Sequence, residues 1–242
     1  MHRRSARFTK GFNKAKIEFF SVFNPHTMKA PLASREGWIQ FGSIDIGVKN
    51  FAMRVERWDP DEDTTETIAF THSDFTKSGE EKIPELGKEN FFYINSIRTL
   101  EKFCEEYLQY CQYICVESQL SFAYDNVRMQ CSTLATLCIF LTDKGNRPLI
   151  LDFDCKLKSK LLGAPKGLKK KKLKEWTTKK ARDFFEDEED QESLDFMDQI
   201  KRLIKDDDLG DVKCQIEALK ILHNQGKLPP MFKRPSIRVK VA

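Results

Sequence analysis

Gly42-Ser43-Ile44-Asp45-Ile46-Gly47-Val48-Lys49-Asn50 is the stretch on which the reading of this chain turns. Ile44, Ile46 and Val48 alternate with Ser43, Asp45 and Gly47, the period of a strand with one apolar face. That pattern puts an ionisable carboxylate in the middle of a buried strand. An unpaired buried charge costs several kcal/mol or more, so Asp45 requires a cation, a donor network or a shifted pKa. The bland alternative is an Asp that caps the turn after it.

Outward from this stretch, strands are expected over Trp38–Val48 and Phe51–Arg57, with Lys49-Asn50 at the corner, and a third near Thr67–Phe75. A helix is expected from Glu89 to Tyr110, because Ile94, Ile97, Leu100, Phe103 and Tyr107 recur at three and four. Tyr113-Ile114-Cys115-Val116 reads as a short buried strand that stops at Glu117. A second helix spans Asn126–Thr142, and Pro148–Phe153 is a fifth strand. Three strands followed by helix, strand, helix, strand imply an α/β fold: a three-strand meander joined to parallel strands and flanked by helices.

The net charge of +4 is small, but its distribution is uneven. Residues 1–36 form a basic N-terminal extension, read as a nucleic-acid arm, a targeting peptide or upstream sequence before Met28. The lysine-rich stretch 155–173 reads as an irregular loop punctuated by Gly163, Pro165 and Gly167. Lys156, Lys158, Lys160, Lys166, Lys169, Lys170, Lys171, Lys172 and Lys174 are the residues expected to follow a polyanion. Helices are expected over Lys174–Phe185, over Glu192–Ile204 within an acidic insert (186–204), and from the Asp206-Asp207-Asp208 run to Asn224. The tail 229–242 is basic.

Several classes are excluded. Seven cysteines without paired Cys-x-x-Cys spacing fit neither a disulfide framework nor a zinc ribbon, and they point to a reducing, intracellular home. No run of apolar residues is long enough to cross a membrane. The four histidines, at 2, 26, 72 and 223, are too scattered for a histidine metal site. Glycines never cluster into the phosphate loop that an actin-like ATPase or sugar kinase needs, although those proteins also open on a strand bearing Asp-x-Gly.

Asp208 and Asp211, three apart at a helix start, share a face; acidic residues there also suit the helix dipole without any function. Asp207 and Asp211, four apart, are equally co-facial, so Asp207 rivals Asp208. If Asp45, Glu117 and this pair converge, their mutual repulsion calls for hard cations such as Mg²⁺, with Mn²⁺ as a substitute. Two ions about 4 Å apart would clamp a phosphodiester.

The order Asp45-Ile-Gly-x-Lys-Asn50, Val116-Glu-x-Gln119, a lysine-bearing helix and Asp207-Asp-Leu-x-Asp211 resembles the RuvC-type Holliday junction resolvases. The likeness covers about residues 37–224 and is nearest the poxvirus and large-DNA-virus branch, with mitochondrial resolvases as cousins. It implies a ribonuclease-H-like domain over 37–228, a homodimer, and Mg²⁺-dependent paired nicking of four-way DNA junctions. It further implies metal ligation by Asp45, Glu117, Asp208 and Asp211, and a basic residue at the scissile phosphate, Lys180 with Lys179 as rival. A viral replication site is the implied location, with the mitochondrion as the alternative. The chain departs from the pattern at Gly210, where a small non-glycine residue is usual, and at Ser118 and Leu120, where viral relatives are basic. Cleavage of RNA–DNA hybrids, or non-catalytic binding of branched DNA, are the rival functions.

Overall fold

The structure, a computed structural model, describes residues 37–75, 88–120, 122–142, 148–203 and 206–229. The N-terminal extension and the tail from residue 230 lie outside the described residues. Strands β1 (Ile39–Asp45), β2 (Phe51–Asp59) and β3 (Thr64–Ser73) form an antiparallel meander, and β4 (Tyr113–Glu117) and β5 (Leu149–Phe153) continue the sheet parallel to β1. The strand order is β3-β2-β1-β4-β5. The mixed sheet expected from the sequence is thus present.

Alternation along the strands divides the core in two. Ile44, Met53, Val55, Ile114 and Val116 enter one apolar cluster, covered by α1 (Lys88–Glu106) and α2 (Tyr124–Thr142). Phe41, Trp58, Tyr113 and Phe153 face the other way, against Ile216, Ala218 and Leu219 of α6 (Asp207–Asn224). Helices α3 (Cys155–Leu161), α4 (Lys170–Asp187) and α5 (Gln191–Leu203) complete that second layer. Because α6 is sandwiched between the sheet and its neighbouring helices, eleven of its residues are buried. Deep burial of this kind fixes the helix as a rigid carrier for whatever its first turn displays.

Two expectations are corrected. Asp45 closes β1 rather than sitting mid-strand, because the chain turns immediately afterwards. A Cβ at Gly47 would stand 2.7 Å from the Asn50 carbonyl oxygen, so the turn is tight enough to demand glycine. The lysine-rich stretch is also not one irregular loop. Asp154 caps α3 by accepting from the Lys156 amide, and α4 begins at Lys170, four residues before the expected start. Only the elbow between them is irregular, with Gly163 at φ +78° and Gly167 at φ +79°.

Beneath β2 lies a buried charge network that no local sequence pattern announces. The Arg54 guanidinium is wedged 4.5 Å from the ring centroids of both Phe70 and Phe185, and donates to Glu56 and Asp190. Lys213 and Lys220 of α6 reach Glu56, Glu188 and Glu217. Those three carboxylates lie close enough to hold an ion, but each already pairs with both ammonium groups. The network ties α6 and the α4–α5 corner to the sheet, and losing one partner would strand a buried charge.

Candidate active site

The parallel register sets Ile44 beside Val116. The next residue of each strand, Asp45 and Glu117, therefore ends β1 and β4 side by side. Both point to the face covered by α6, since their neighbours Ile44 and Val116 enter the opposite core. They are 7% and 9% exposed, which makes ionisation costly unless the site supplies positive charge.

Across from them, the first turns of α6 bring Asp208 and Asp211. Carboxylate oxygens of Asp45, Asp208 and Asp211 all lie within 4.8 Å of one another. Glu117 joins the group through Lys158, whose Nζ donates to Asp211 Oδ1 at 2.8 Å and to Glu117 Oε2 at 3.1 Å. Four carboxylates predicted from three separate stretches are thus brought together. The helix can seat Asp211 this deep because Gly210 is bare: a Cβ there would stand 3.0 Å from Thr178 Cα on α4. Close approach of α4 and α6 is the physical reason for the glycine.

Electrostatics follow from this crowding. Burial, then the nearby charges of Glu117 and Asp211, raise the pKa of Asp45 well above the ordinary carboxylate value. Burial also raises Asp211 against the opposing pull of Lys158. Asp208 is lifted to about 7 by burial and by the charge of Asp207. Lys158 shows the converse: burial favours the neutral amine, yet Asp211, Glu117 and Asp45 outweigh it and hold the ammonium charged.

Asp208 Oδ2 is buried and receives no hydrogen bond. A buried carboxylate oxygen without a donor, inside a cluster of hard oxygen ligands, suits a divalent cation. The residues fit Mg²⁺ or Mn²⁺. Asp207 stands apart from the cluster, since its carboxylate accepts from Lys174 Nζ.

Lys179 and Lys180 are not brought to this cluster. Lys179 pairs with Asp183 at 2.8 Å, and Lys180 lies over the Phe184 ring at 4.4 Å. The lysine among the carboxylates is Lys158, which charge patterning alone groups with the surface phosphate-followers. Its spacing from Leu161 and Leu162 carries the signal: a helix that turns those leucines inward turns Lys158 inward with them. Lys156, Lys160, Lys166, Lys169, Lys170, Lys171 and Lys172 are exposed, and Lys174 is half-buried against Asp207. His223, far along α6 from the aspartates, packs edge-on against Trp58 at 5.6 Å.

Two exposed apolar side chains, Leu120 at 51% and Phe122 at 83%, follow Glu117 in the connection to α2. Nothing in the sequence marks them, because isolated surface apolar residues are ordinary.

No family model matches the chain, and no curated protein does. It is similar to the solved structure of RuvC from T. thermophilus in complex with a Holliday junction substrate. The identity is 10% and the TM-score 0.46, over 78% of this chain and 98% of that one. It is also similar to the fowlpox virus resolvase in complex with Holliday junction DNA, at 16% identity and TM-score 0.46, over 75% and 99%. A second fowlpox virus Holliday junction resolvase structure matches at 16% identity and TM-score 0.45, over 76% and 99%. No helix among the described residues is long and apolar enough to cross a membrane.

Proposed function

We propose that this chain is a structure-selective, divalent-metal-dependent DNA endonuclease that resolves four-way junctions by paired nicks. The observation that carries the chemistry is the convergence of Asp45, Asp208 and Asp211, with Glu117 joined to them through Lys158 and one Asp208 oxygen lacking a donor. The junction as substrate comes from the order of the sequence motifs. Asp45, Asp208, Asp211 and Glu117 would hold two Mg²⁺ ions, or Mn²⁺ in their place. When bound, such ions activate water and stabilise the leaving oxygen of a phosphodiester. Lys158 keeps an ammonium group charged beside the carboxylates, where a fixed positive charge favours an approaching phosphate and its developing negative charge.

The remaining residues bind. The exposed lysines of α3, the elbow and the start of α4 lie on the same layer as the carboxylates and provide sequence-independent, salt-sensitive affinity. Phe122, in the connection that follows Glu117, presents a bare ring suited to stacking on bases left unpaired at a branch point. Paired symmetric nicks require two such sites, hence a homodimer. Residues 37–228 would form the nuclease domain. A reducing compartment, a viral replication site or a mitochondrion, suits thiols as deeply buried as Cys111, Cys115 and Cys214.

The test is incubation of the purified chain with a synthetic four-way junction, a linear duplex and an RNA–DNA hybrid of the same sequence, in Mg²⁺ and in EDTA. Symmetric nicks in the junction, lost in EDTA and in folded Asp45→Asn, are expected. Preferential cutting of the hybrid would transfer the reading to ribonuclease activity. Equal junction binding in both conditions with no product would make the chain a binding protein.

A further inference from the structure

Gln215 lies one turn beyond Asp211 on α6, so Asp208, Asp211 and Gln215 form a single stripe facing the ends of β1 and β4. It is fully buried, where an amide must satisfy every donor and acceptor or destabilise the fold. Its Oε1 accepts from the Ser43 hydroxyl at 2.7 Å and from the Cys115 thiol at 3.6 Å. Glu117 settles the orientation of the amide, because an ionised carboxylate only accepts: Nε2 donates to Oε2 at 2.9 Å, which leaves Oε1 to the hydroxyl and the thiol. Lys158 donates to the same Oε2 at 3.1 Å. Both donors thus engage the same oxygen of Glu117, Oε2, and hold the carboxylate from that side.

We propose that Gln215, oriented by Ser43, is a positioning residue that fixes the rotamer of Glu117 and so presents its Oε1 to a divalent cation. The inference rests on the endonuclease reading and adds to it a residue that touches neither metal nor DNA. Ser43 and Cys115 precede the two strand-end carboxylates by two residues each. β1, β4 and α6 are therefore linked by one hydrogen-bonded chain directly beneath the site. A merely structural Gln215 would satisfy Ser43 and Cys115 without altering how tightly the carboxylates hold an ion.

The experiment uses the full chain and Mn²⁺ alone as probe, with binding followed by electron paramagnetic resonance without DNA. Thermal melts and junction cleavage over a range of Mn²⁺ concentrations run in parallel. Gln215→Met, close to Gln in length and unable to donate, is expected to weaken Mn²⁺ binding about tenfold, the lower end of the effect of losing a partner that orients a ligand. It should raise the Mn²⁺ needed for half-maximal cleavage while junction affinity in EDTA stays as in the wild type. Ser43→Ala leaves Gln215 in place but frees its amide, and a smaller loss in the same direction is expected. A folded Gln215→Met with wild-type Mn²⁺ affinity overturns the proposal. If Gln215→Met fails to fold, unchanged affinity in Ser43→Ala overturns it equally. A wild-type chain that neither binds Mn²⁺ nor cuts the junction fails before any variant is compared, which separates failure of the endonuclease reading from failure of this one.

Discussion

Replacing Asp208 by Asn should make the protein more stable and less active, by an amount that the site geometry allows to be worked out. Asp208 has the carboxylates of Asp45 and Asp211 with oxygens within 4.8 Å, in addition to the charge of the adjacent Asp207. At an effective dielectric of about 20, each such like-charged pair repels by roughly 3.5 kcal/mol when both are ionised. Lys158 offsets part of this for the cluster as a whole, and raised pKa values leave the pairs only partly ionised, so relief of about 2 kcal/mol is the reasonable expectation at a pH of about 8. For a chain of this size that is a melting temperature higher by roughly 4–8 °C. The sign with pH follows from the native pKa of about 7 against an ordinary value of 3.8. The folded state keeps a proton that the unfolded state has lost, so this group's contribution is intact at low pH and is lost as pH rises through about 7. Melts in EDTA of the wild type and Asp208→Asn should therefore converge below the ordinary value of 3.8, where the carboxyl is neutral in the folded and unfolded chain alike, and diverge as pH rises from there through about 7. Saturating Mn²⁺ should stabilise the wild type by about 2.7 kcal/mol at a hundred times its Kd and leave the Asn variant nearly unmoved. Equal melting temperatures in EDTA at high pH, or a less stable Asn variant, would refute the electrostatic account.

Lys158→Met removes the ammonium group bound to Glu117 and Asp211. A loss of about 3 kcal/mol in EDTA, largely restored by Mg²⁺, is expected from urea melts because a cation can neutralise what the lysine did. Gly210→Ala gains about 1 kcal/mol of helix propensity but forces its Cβ against the α4 backbone at Thr178. A net loss of stability with reduced cleavage is expected, and a stabilised, fully active variant would show that the close helix approach is dispensable. Exchanging Lys169, Lys170, Lys171 and Lys172 for Gln should lower the slope of log affinity against log salt by about 0.9 for each DNA phosphate that is no longer neutralised, with an unchanged melting temperature.

The sheet and most helices are legible in the sequence because their periods are strong: Ile44 and Ile46 in and after β1, Ile114 and Val116 in β4, Leu100 and Phe103 in α1 all fall where alternation or helical spacing puts them. The four carboxylates are legible because Asp45 and Glu117 lie in or at the end of apolar runs, where a charge requires explanation. Lys158 is hidden by its company. Surrounded by lysines bound for solvent, it is distinguished only by the face that it shares with Leu161 and Leu162. The choice between Asp207 and Asp208 is illegible for a different reason: both suit Asp211 by spacing, and it is Lys174, thirty-three residues away, that draws Asp207 aside. The Arg54–Glu56–Lys213 network is unreadable because its members pair across 157 residues of chain, and no local period marks such a partnership.

The candidate site is drawn from places widely spaced along the chain, with two of its carboxylates on the last described helix. On the endonuclease reading, a growing polypeptide carries half a cutting apparatus until α6 leaves the ribosome and docks between the sheet and α4. A partly made copy has Asp45, Glu117 and Lys158 but too few oxygens to hold an ion. Nicking power would then arrive late in synthesis, together with the packing that makes the molecule stable, and stalled chains ending before residue 206 should bind no Mn²⁺.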